Sequence, residues 1–504
     1  MAAPEPTHQI SYPVTDGATY SLYYSTFPFL SNYYLASPFY ETFREKTGVT
    51  IDLNELGNST YSEKMNLTIA SGDYPDMATG LVGLFSSLSE AISEEVVLDV
   101  MPYIEENMPD YYAAATAYVG GLASITNEDG QMGVLYELYT QPDNYSSGYF
   151  VRDDYLQAAG YTEVPDNVDD FVDMLRAMKI ELGIEYPLYA NSDGDVTGSL
   201  VSLWYNDWGN SGYYWDEASQ TVKWCHDQPY TLEYWQWFRG IYEEGLFLTS
   251  GTSDLLGITQ TFNDFFRIGE IAVFSSKAST IDDDLSELEV ETTASAIPVF
   301  TCDAARQNGE LVKITGGNSV SLTTDAQNPE ILLQAINYLY TDEGALLYTY
   351  GTEGVSFNYN SEGVAEYTDA VMNTTDAPRQ FALKFYTCPT LPGLNDPFAM
   401  SYMWPDYAME ALDVWSSAYD GNSATFSTGL VSLNQQESDV INLYLSDLNT
   451  YIEETVYRML YGGAALDQAS YDDFINTCYN GYHLQEILDV YTAAWQRYLV
   501  RAAQ

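Results

Sequence analysis

The chain is predicted to be an α/β protein of two or more domains built on parallel sheet. Three observations carry this. Residues Tyr20 to Thr79 read strand–helix–strand–helix–strand, an alternation that implies parallel strands whose carboxyl ends gather ligand-binding loops. The 504 residues exceed what one hydrophobic core holds. Apolar residues make up 46%, enough for a sizeable core, yet no run of eighteen is apolar, so no membrane-spanning helix is expected.

The first element follows from Tyr20, Leu22 and Tyr24 alternating with Ser21, Tyr23 and Ser25, the period of a strand. Ser37-Pro38 opens a helix with Phe39, Tyr40 and Phe43 on one face, and Gly48 suits its left-handed C-terminal cap. Val49, Ile51 and Leu53 alternate as a second strand. Thr60 with Glu63 has capping-box spacing before a helix carrying Tyr61, Met65 and Ile69, which stops near Gly72. Tyr74-Pro75 turns into a short third strand at Met77-Ala78.

Further along, Leu98-Asp99-Val100 is a short extended piece and Gly130 to Tyr136 a turn and strand. Phe150 to Leu156 reads as strand into helix, and Asn167 precedes a helix with Phe171, Met174, Leu175 and Met178 inward. Residues 190–230 are rich in Gly, Asp, Asn and Trp, the composition of loops that carry function. Asp282-Asp283-Asp284 with Glu287, Glu289 and Glu291 is expected to be a solvated face. Asn328-Pro329 starts a helix with Ile331, Leu332, Ala335, Ile336 and Leu339. The tail is helical, through Ile441, Tyr444, Leu448, Tyr451 and Ile452 and then Leu484, Leu488, Tyr491, Trp495 and Tyr498. No internal repeat or low-complexity linker separates the domains, so they are expected to share several chain crossings.

Charge narrows the partners. Seventy-three acidic residues against seventeen basic ones give a net charge of −56, which excludes nucleic acid and disfavours anionic membranes and polyanions, since these need basic patches. A neutral ligand is the natural partner. Forty-six tyrosines offer flat apolar faces with polar tips, surfaces on which sugar rings stack, although most tyrosines in any chain are core or surface filler. Cys225, Cys302, Cys388 and Cys478 show no CxxC spacing, so zinc and thioredoxin-like chemistry are not expected, while pairing and burial as thiols both stay open.

Chemical motifs are mostly absent. The chain lacks a Walker A loop, GxGxxG, HExxH and GxSxG, and His8, His226 and His483 lie in unrelated contexts. Asn191-Ser192-Asp193-Gly194-Asp195 has calcium-loop alternation, but Val196 stands at the sixth position and Ser202 at the twelfth, which favours a turn. No metal and no cofactor are expected. So many acidic residues make any proposed glycosidase carboxylate pair uninformative.

The segments from Thr47-Gly48-Val49 through Leu67-Thr68-Ile69-Ala70-Ser71-Gly72-Asp73-Tyr74-Pro75-Asp76 resemble bacterial extracellular solute-binding proteins of family 1, the sugar-capturing lipoproteins of ABC importers. Asp129-Gly130-Gln131, Val151 to Leu156, Phe266 to Ala272, Asn328-Pro329-Glu330 through Gly344, Gly351 to Val355 and Ala494 to Tyr498 continue the likeness in order, the last two resembling the family's long lipoprotein branch. None of these segments is specific alone; their order along nearly the whole chain is. The resemblance implies a type II periplasmic-binding-protein-like fold, two discontinuous α/β lobes joined by hinge strands that close around ligand. By ordered matching, residues 1–14 are a disordered lead-in, 15–136 and 319–376 form lobe 1, and 137–318 and 377–504 form lobe 2. It also implies an extracellular, lipid-anchored monomer whose signal peptide and anchor are trimmed, with an oligosaccharide ligand and a membrane permease as partners.

The same resemblance places ligand-binding residues in loops after the strands: Thr26, Phe27 and Phe29 after strand one, Gly80 after strand three, and Tyr136 and Glu137 at the first crossing. Asp195, Trp204 and Trp208 fall in the aromatic loop region, Lys277 after a lobe-2 strand, Asn318 at the second crossing, and Trp404 matches a late cleft tryptophan. Each has a plainer reading. Phe27 and Phe29 suit a core equally, Trp204 and Trp208 sit four apart as on one packed helix face, and Asp73 and Asp76 suit turn and strand-start roles. Three functions are therefore weighed: a non-catalytic receptor for a neutral oligosaccharide, which the likeness favours; a secreted glycoside hydrolase; and a receptor for a non-sugar ligand such as a polyamine.

Overall fold

The structure, a computed structural model, describes residues 5–26, 35–117, 120–140, 147–190, 212–228, 230–249, 262–298, 300, 315–373, 383–388, 390–416, 426, 428 and 431–503. Its strands are β1 (Ala18–Tyr24), β2 (Val49–Glu55), β3 (Met77–Ala78), β4 (Leu135–Tyr139), β5 (Ser147–Arg152), β6 (Leu188–Ala190), β7 (Tyr213–Asp216), β8 (Thr221–Trp224), β9 (Phe247–Thr249), β10 (Val273–Lys277), β11 (Ala294–Ala296), β12 (Thr315–Leu322), β13 (Phe357–Tyr359), β14 (Ala365–Tyr367) and β15 (Leu394–Asn395). The principal helices are α1 (Phe39–Thr47), α2 (Tyr61–Ser71), α3 (Val168–Glu181), α4 (Thr231–Glu243), α5 (Pro329–Asn337), α6 (Asp342–Tyr350), α7 (Asp406–Ser416), α8 (Gln435–Leu460), α9 (Gln468–Gly481) and α10 (Leu484–Ala502). The chain forms two compact α/β units, one of Met1–Asp143, Val312–Met400 and Arg497–Gln504, the other of Asn144–Leu311 and Ser401–Gln496.

The first unit holds a six-stranded sheet in the order β15-β4-β12-β3-β1-β2. β1 pairs in parallel with β2 and β3, β15 pairs in parallel with β4, and β12 runs antiparallel between β3 and β4. Tyr20, Leu22 and Tyr24 are buried, as their spacing predicts. Phe39 and Phe43 of α1 and Leu332, Leu333 and Ile336 of α5 close the same core. Gly48 is left-handed (φ +79°), and a Cβ there would land on the carbonyl oxygen of Thr15, so glycine is required. Asp76 Oδ2 accepts from both the N–H and the hydroxyl of Ser21 at 2.8 Å, tying β3 to β1.

Some expectations for this unit change. Thr60 and Glu63 make no capping box: a 3₁₀ turn, Asn58–Thr60, precedes α2 and turns the Thr60 hydroxyl back onto the Gly57 carbonyl. The lead-in is not wholly disordered, because Tyr12 stacks edge-on against Tyr338 and the Val14 N–H donates to Thr47. Residues 137–143, 312–318, 377–400 and 497–504 cluster with the first unit rather than the second. The reason is pairing: β15 and β12 flank β4, while Arg497 donates to Glu128 and Arg501 to the Asn127 carbonyl.

The second unit holds a five-stranded sheet ordered β11-β5-β10-β6-β9, in which β5 runs against β10 and β11 while β6, β9 and β10 run together. α3 starts at Asn167, whose side chain accepts from the Asp170 N–H, and buries Phe171, Met174, Leu175 and Met178. Its core is aromatic: fully buried Trp235 meets Tyr471 edge-on and Phe474 at a tilt, and Phe426 packs between Tyr491 and Trp495 of α10. For these tyrosines the core reading holds. The acidic run is not uniformly solvated, because half-buried Asp284 accepts from the Ser276 hydroxyl at 2.5 Å and burial raises its pKa.

Candidate functional site

In the first unit the carboxyl ends of β1, β2, β3, β4 and β15 lie at one edge of the sheet, beside the amino end of β12. This edge is where an open α/β sheet binds ligand, because connections leaving neighbouring strands toward opposite faces open a crevice there. Thr26, two residues past β1, is 7% exposed. Gly80, two residues past β3, is left-handed (φ +63°) and has no atom within 4 Å of the place a Cβ would occupy. Tyr61 pins this loop by donating to the Thr79 carbonyl.

Tyr136 and Glu137 lie on β4 and Asn318 on the neighbouring β12. Tyr136 is half-buried against the core, burial raises its hydroxyl pKa, and its carbonyl accepts from the Tyr340 hydroxyl at 2.6 Å. Glu137 is 5% exposed and both its oxygens are engaged: Oε2 accepts from the Asn318 N–H at 2.9 Å and Oε1 from Asn395 Nδ2 at 2.7 Å. Asn318 Nδ2 in turn donates to the Tyr348 hydroxyl at 2.8 Å. Burial, reinforced by the nearby Glu137, holds the Tyr348 hydroxyl well above its ordinary range. Asn395 and Tyr348 escape the sequence reading; the turn-like Gly393-Leu394-Asn395-Asp396-Pro397 is the one local signal there.

In the second unit the carboxyl ends of β6, β9 and β10 gather beside the amino end of β5. Lys277 closes β10 there and is exposed, opposite Ser147. Trp404 is half-buried, with its backbone N–H donating to the Ser401 carbonyl at 3.1 Å. Phe27, Phe29, Asp195, Trp204, Trp208, Cys302 and the 191–195 loop lie outside the described residues. Among the described residues, no group of three His, Cys, Asp or Glu is placed to hold a metal. Cys225, Cys388 and Cys478 are buried and in no disulfide.

Compared with known proteins, residues 30–346, well over half of the chain, match the family described as bacterial extracellular solute-binding protein. The chain belongs to this family. The solute-binding protein is 26% identical to Lipoprotein LipO of Bacillus subtilis (strain 168) over 168 residues, 33% of this chain and 30% of that protein's length. Its fold is similar to the alginate-binding protein AlgQ2, solved without calcium ion, with a TM-score of 0.71 at 19% identity over 96% of this chain and 99% of that one. It is similar as well to the S. pneumoniae ABC-transporter substrate-binding protein FusA in complex with kestose, with a TM-score of 0.69 at 18% identity over 96% and 100%. These likenesses fit the two-lobe, periplasmic-binding-protein-like fold. Among the described residues of this solute-binding protein, no helix is long and apolar enough to cross a membrane.

Proposed function

We propose that this solute-binding protein is the extracellular receptor of an ABC importer and that it captures a neutral oligosaccharide without chemical turnover. Family membership is the observation that carries this reading. The ligand class rests on three supports. The net charge of −56 repels polyanions, including polyuronates. FusA is solved with kestose, a neutral saccharide, and AlgQ2 is named for alginate, a polyuronate, so these neighbours support a saccharide while the charge of this chain favours a neutral one. Phe27 and Phe29 follow β1 in the sequence, and Trp204 and Trp208 lie in the loop-like stretch 190–230. Thr26, Gly80, Lys277 and Trp404 are the contacts we assign among described residues, with Phe27, Phe29, Asp195, Trp204 and Trp208 as further candidates. The partner is a membrane permease, and the receptor acts as a monomer held at the cell surface by a lipid, as the name of LipO suggests for its kind.

The test is a thermal-shift screen against neutral and anionic oligosaccharides, followed by titration calorimetry on each hit. Binding at 100 times Kd raises stability by about 2.7 kcal/mol through mass action. The expected result is one-to-one binding of a neutral glycan, recovered intact after long incubation. Glycan cleavage would overturn the receptor reading, and selective binding of a polyamine or a polyuronate would overturn the ligand class.

A further inference from the structure

The register between β12 and β4 breaks at one place. Thr315 stands opposite Leu138 and Ser319 opposite Tyr136, so Gly316, Gly317 and Asn318 all face the single residue Glu137. Such a bulge leaves backbone groups without a ladder partner. Within the bulge the Asn318 N–H donates to the Glu137 carboxylate at 2.9 Å instead of to a backbone carbonyl. The other carboxylate oxygen takes the side-chain amide of Asn395 at 2.7 Å, on β15. Thus one buried carboxylate fastens β4, β12 and β15 together. Among the described residues both of its partners are neutral donors; no Lys, Arg or His pairs with it.

These three strands have a second property in common. The chain passes from the first unit to the second just after β4, returns just before β12, and leaves again just after β15. We infer that Glu137 is a positioning residue: its carboxylate is a buried fastener that sets the β12 bulge and governs how freely the three strand exits move, rather than a group offered to ligand. A carboxylate suits the task because it accepts on both oxygens, whereas the facing groups are both N–H donors. With the Asn395 side-chain amide oriented as it stands, its oxygen accepting from the Thr349 hydroxyl at 3.4 Å, a neutral amide satisfies only one of the two donors, and an unsatisfied buried donor is costly.

The inference is tested on the unliganded full chain, independently of any ligand, by hydrogen–deuterium exchange of peptides covering 315–322, 135–140 and 393–396. Glu137→Gln sets an amide N–H₂ against one of the two donors, and exchange in the 315–322 peptide is expected to accelerate at least tenfold. Adding Asn395→Asp reverses the pair. The amide introduced on β4 can then donate to the carboxylate introduced on β15, while its own carbonyl oxygen accepts from the Asn318 N–H. Exchange should return to within about twofold of the parent. The α3 peptide 168–181 is the control and should not change. Should Glu137→Gln fail to fold, Asn395→Ala serves, and is expected to accelerate the β12 peptide about threefold although its site of change is on β15. Unchanged β12 exchange in whichever single variant folds, or a double variant no better protected than Glu137→Gln, overturns the fastener.

Discussion

Gly148, near the start of β5, lies directly beneath the indole of Trp415 on α7. A Cβ built on Gly148 would fall 2.6 Å from Trp415 Nε1 and closer still to Cε2. The indole cannot yield freely. It is 3% exposed, its Nε1 donates to the Ile297 carbonyl at 3.2 Å, and its ring meets Phe150 edge-on at 5.0 Å. Gly148→Ala therefore forces the indole aside, with an overpacking cost of about 1–3 kcal/mol. Losing the bond to Ile297 adds about 0.5–1.5 kcal/mol. Together these give roughly 2–4 kcal/mol, or a fall in Tm of roughly 5–15 °C for a unit of this size. Trp415→Leu removes all three indole atoms that crowd the new methyl and, alone, costs about 2–4 kcal/mol as a cavity. In the double variant the methyl enters space already vacated, so the combined loss should fall short of the sum by about 2 kcal/mol. Urea unfolding of the four proteins reads this coupling directly. Additivity within about 0.5 kcal/mol would mean that the two residues do not share that space, and the packing argument fails.

Three further outcomes are expected. Burial raises the Asp284 pKa, so ionising it costs stability; that cost is absent below the ordinary carboxylate value and is incurred as pH rises through the raised folded-state value. Asp284→Asn should therefore gain on the parent as pH climbs across that window in denaturant titrations, and a pH-independent difference would refute it. Burial pushes the Cys478 thiol up to about 12, so its labelling by a disulfide reagent at pH ~8 should be at least a hundredfold slower in the native protein than in urea; comparable rates, read site by site by mass spectrometry, would place the thiol at the surface. Trp404→Ala should weaken the preferred oligosaccharide by about 1–2 kcal/mol with the melting temperature of the free protein little changed, and an unaltered Kd in calorimetry removes Trp404 from the contact set.

Periodicity made much of the fold legible. The alternation of Tyr20, Leu22 and Tyr24, the left-handed glycines at 48 and 72, the inward face of α3 and the stripe Leu484–Tyr498 all have their physical cause within a few residues of themselves. What escaped the reading depends on distant partners. β15 is two residues long and carries no period; it exists because β4 offers it an edge. Glu137 looks like any carboxylate in the sequence, and its role appears only through donors 181 and 258 positions away. Asp284 sits in an acidic run that reads as solvated, yet Ser276 of β10 draws it inward. Thr60 and Glu63 have the right spacing for a capping box, but a preceding 3₁₀ turn engages the hydroxyl elsewhere. Of the candidate contacts named on the resemblance, Thr26 and Gly80 stand just past β1 and β3 as expected of loop residues, whereas Tyr136 packs against the core.

The placement of β12 between β3 and β4 also bears on how the polypeptide is made. A ribosome that has released only the residues before β12 has supplied both neighbours but not the strand that joins them, so the first sheet is left as two fragments with unpaired edges. The sheet is complete only after β15, and the segment Arg497–Gln504 joins its unit last of all. Such late, long-range closure slows folding and prolongs the life of the open chain. While the chain is open, its net charge of −56 keeps copies dispersed by mutual repulsion.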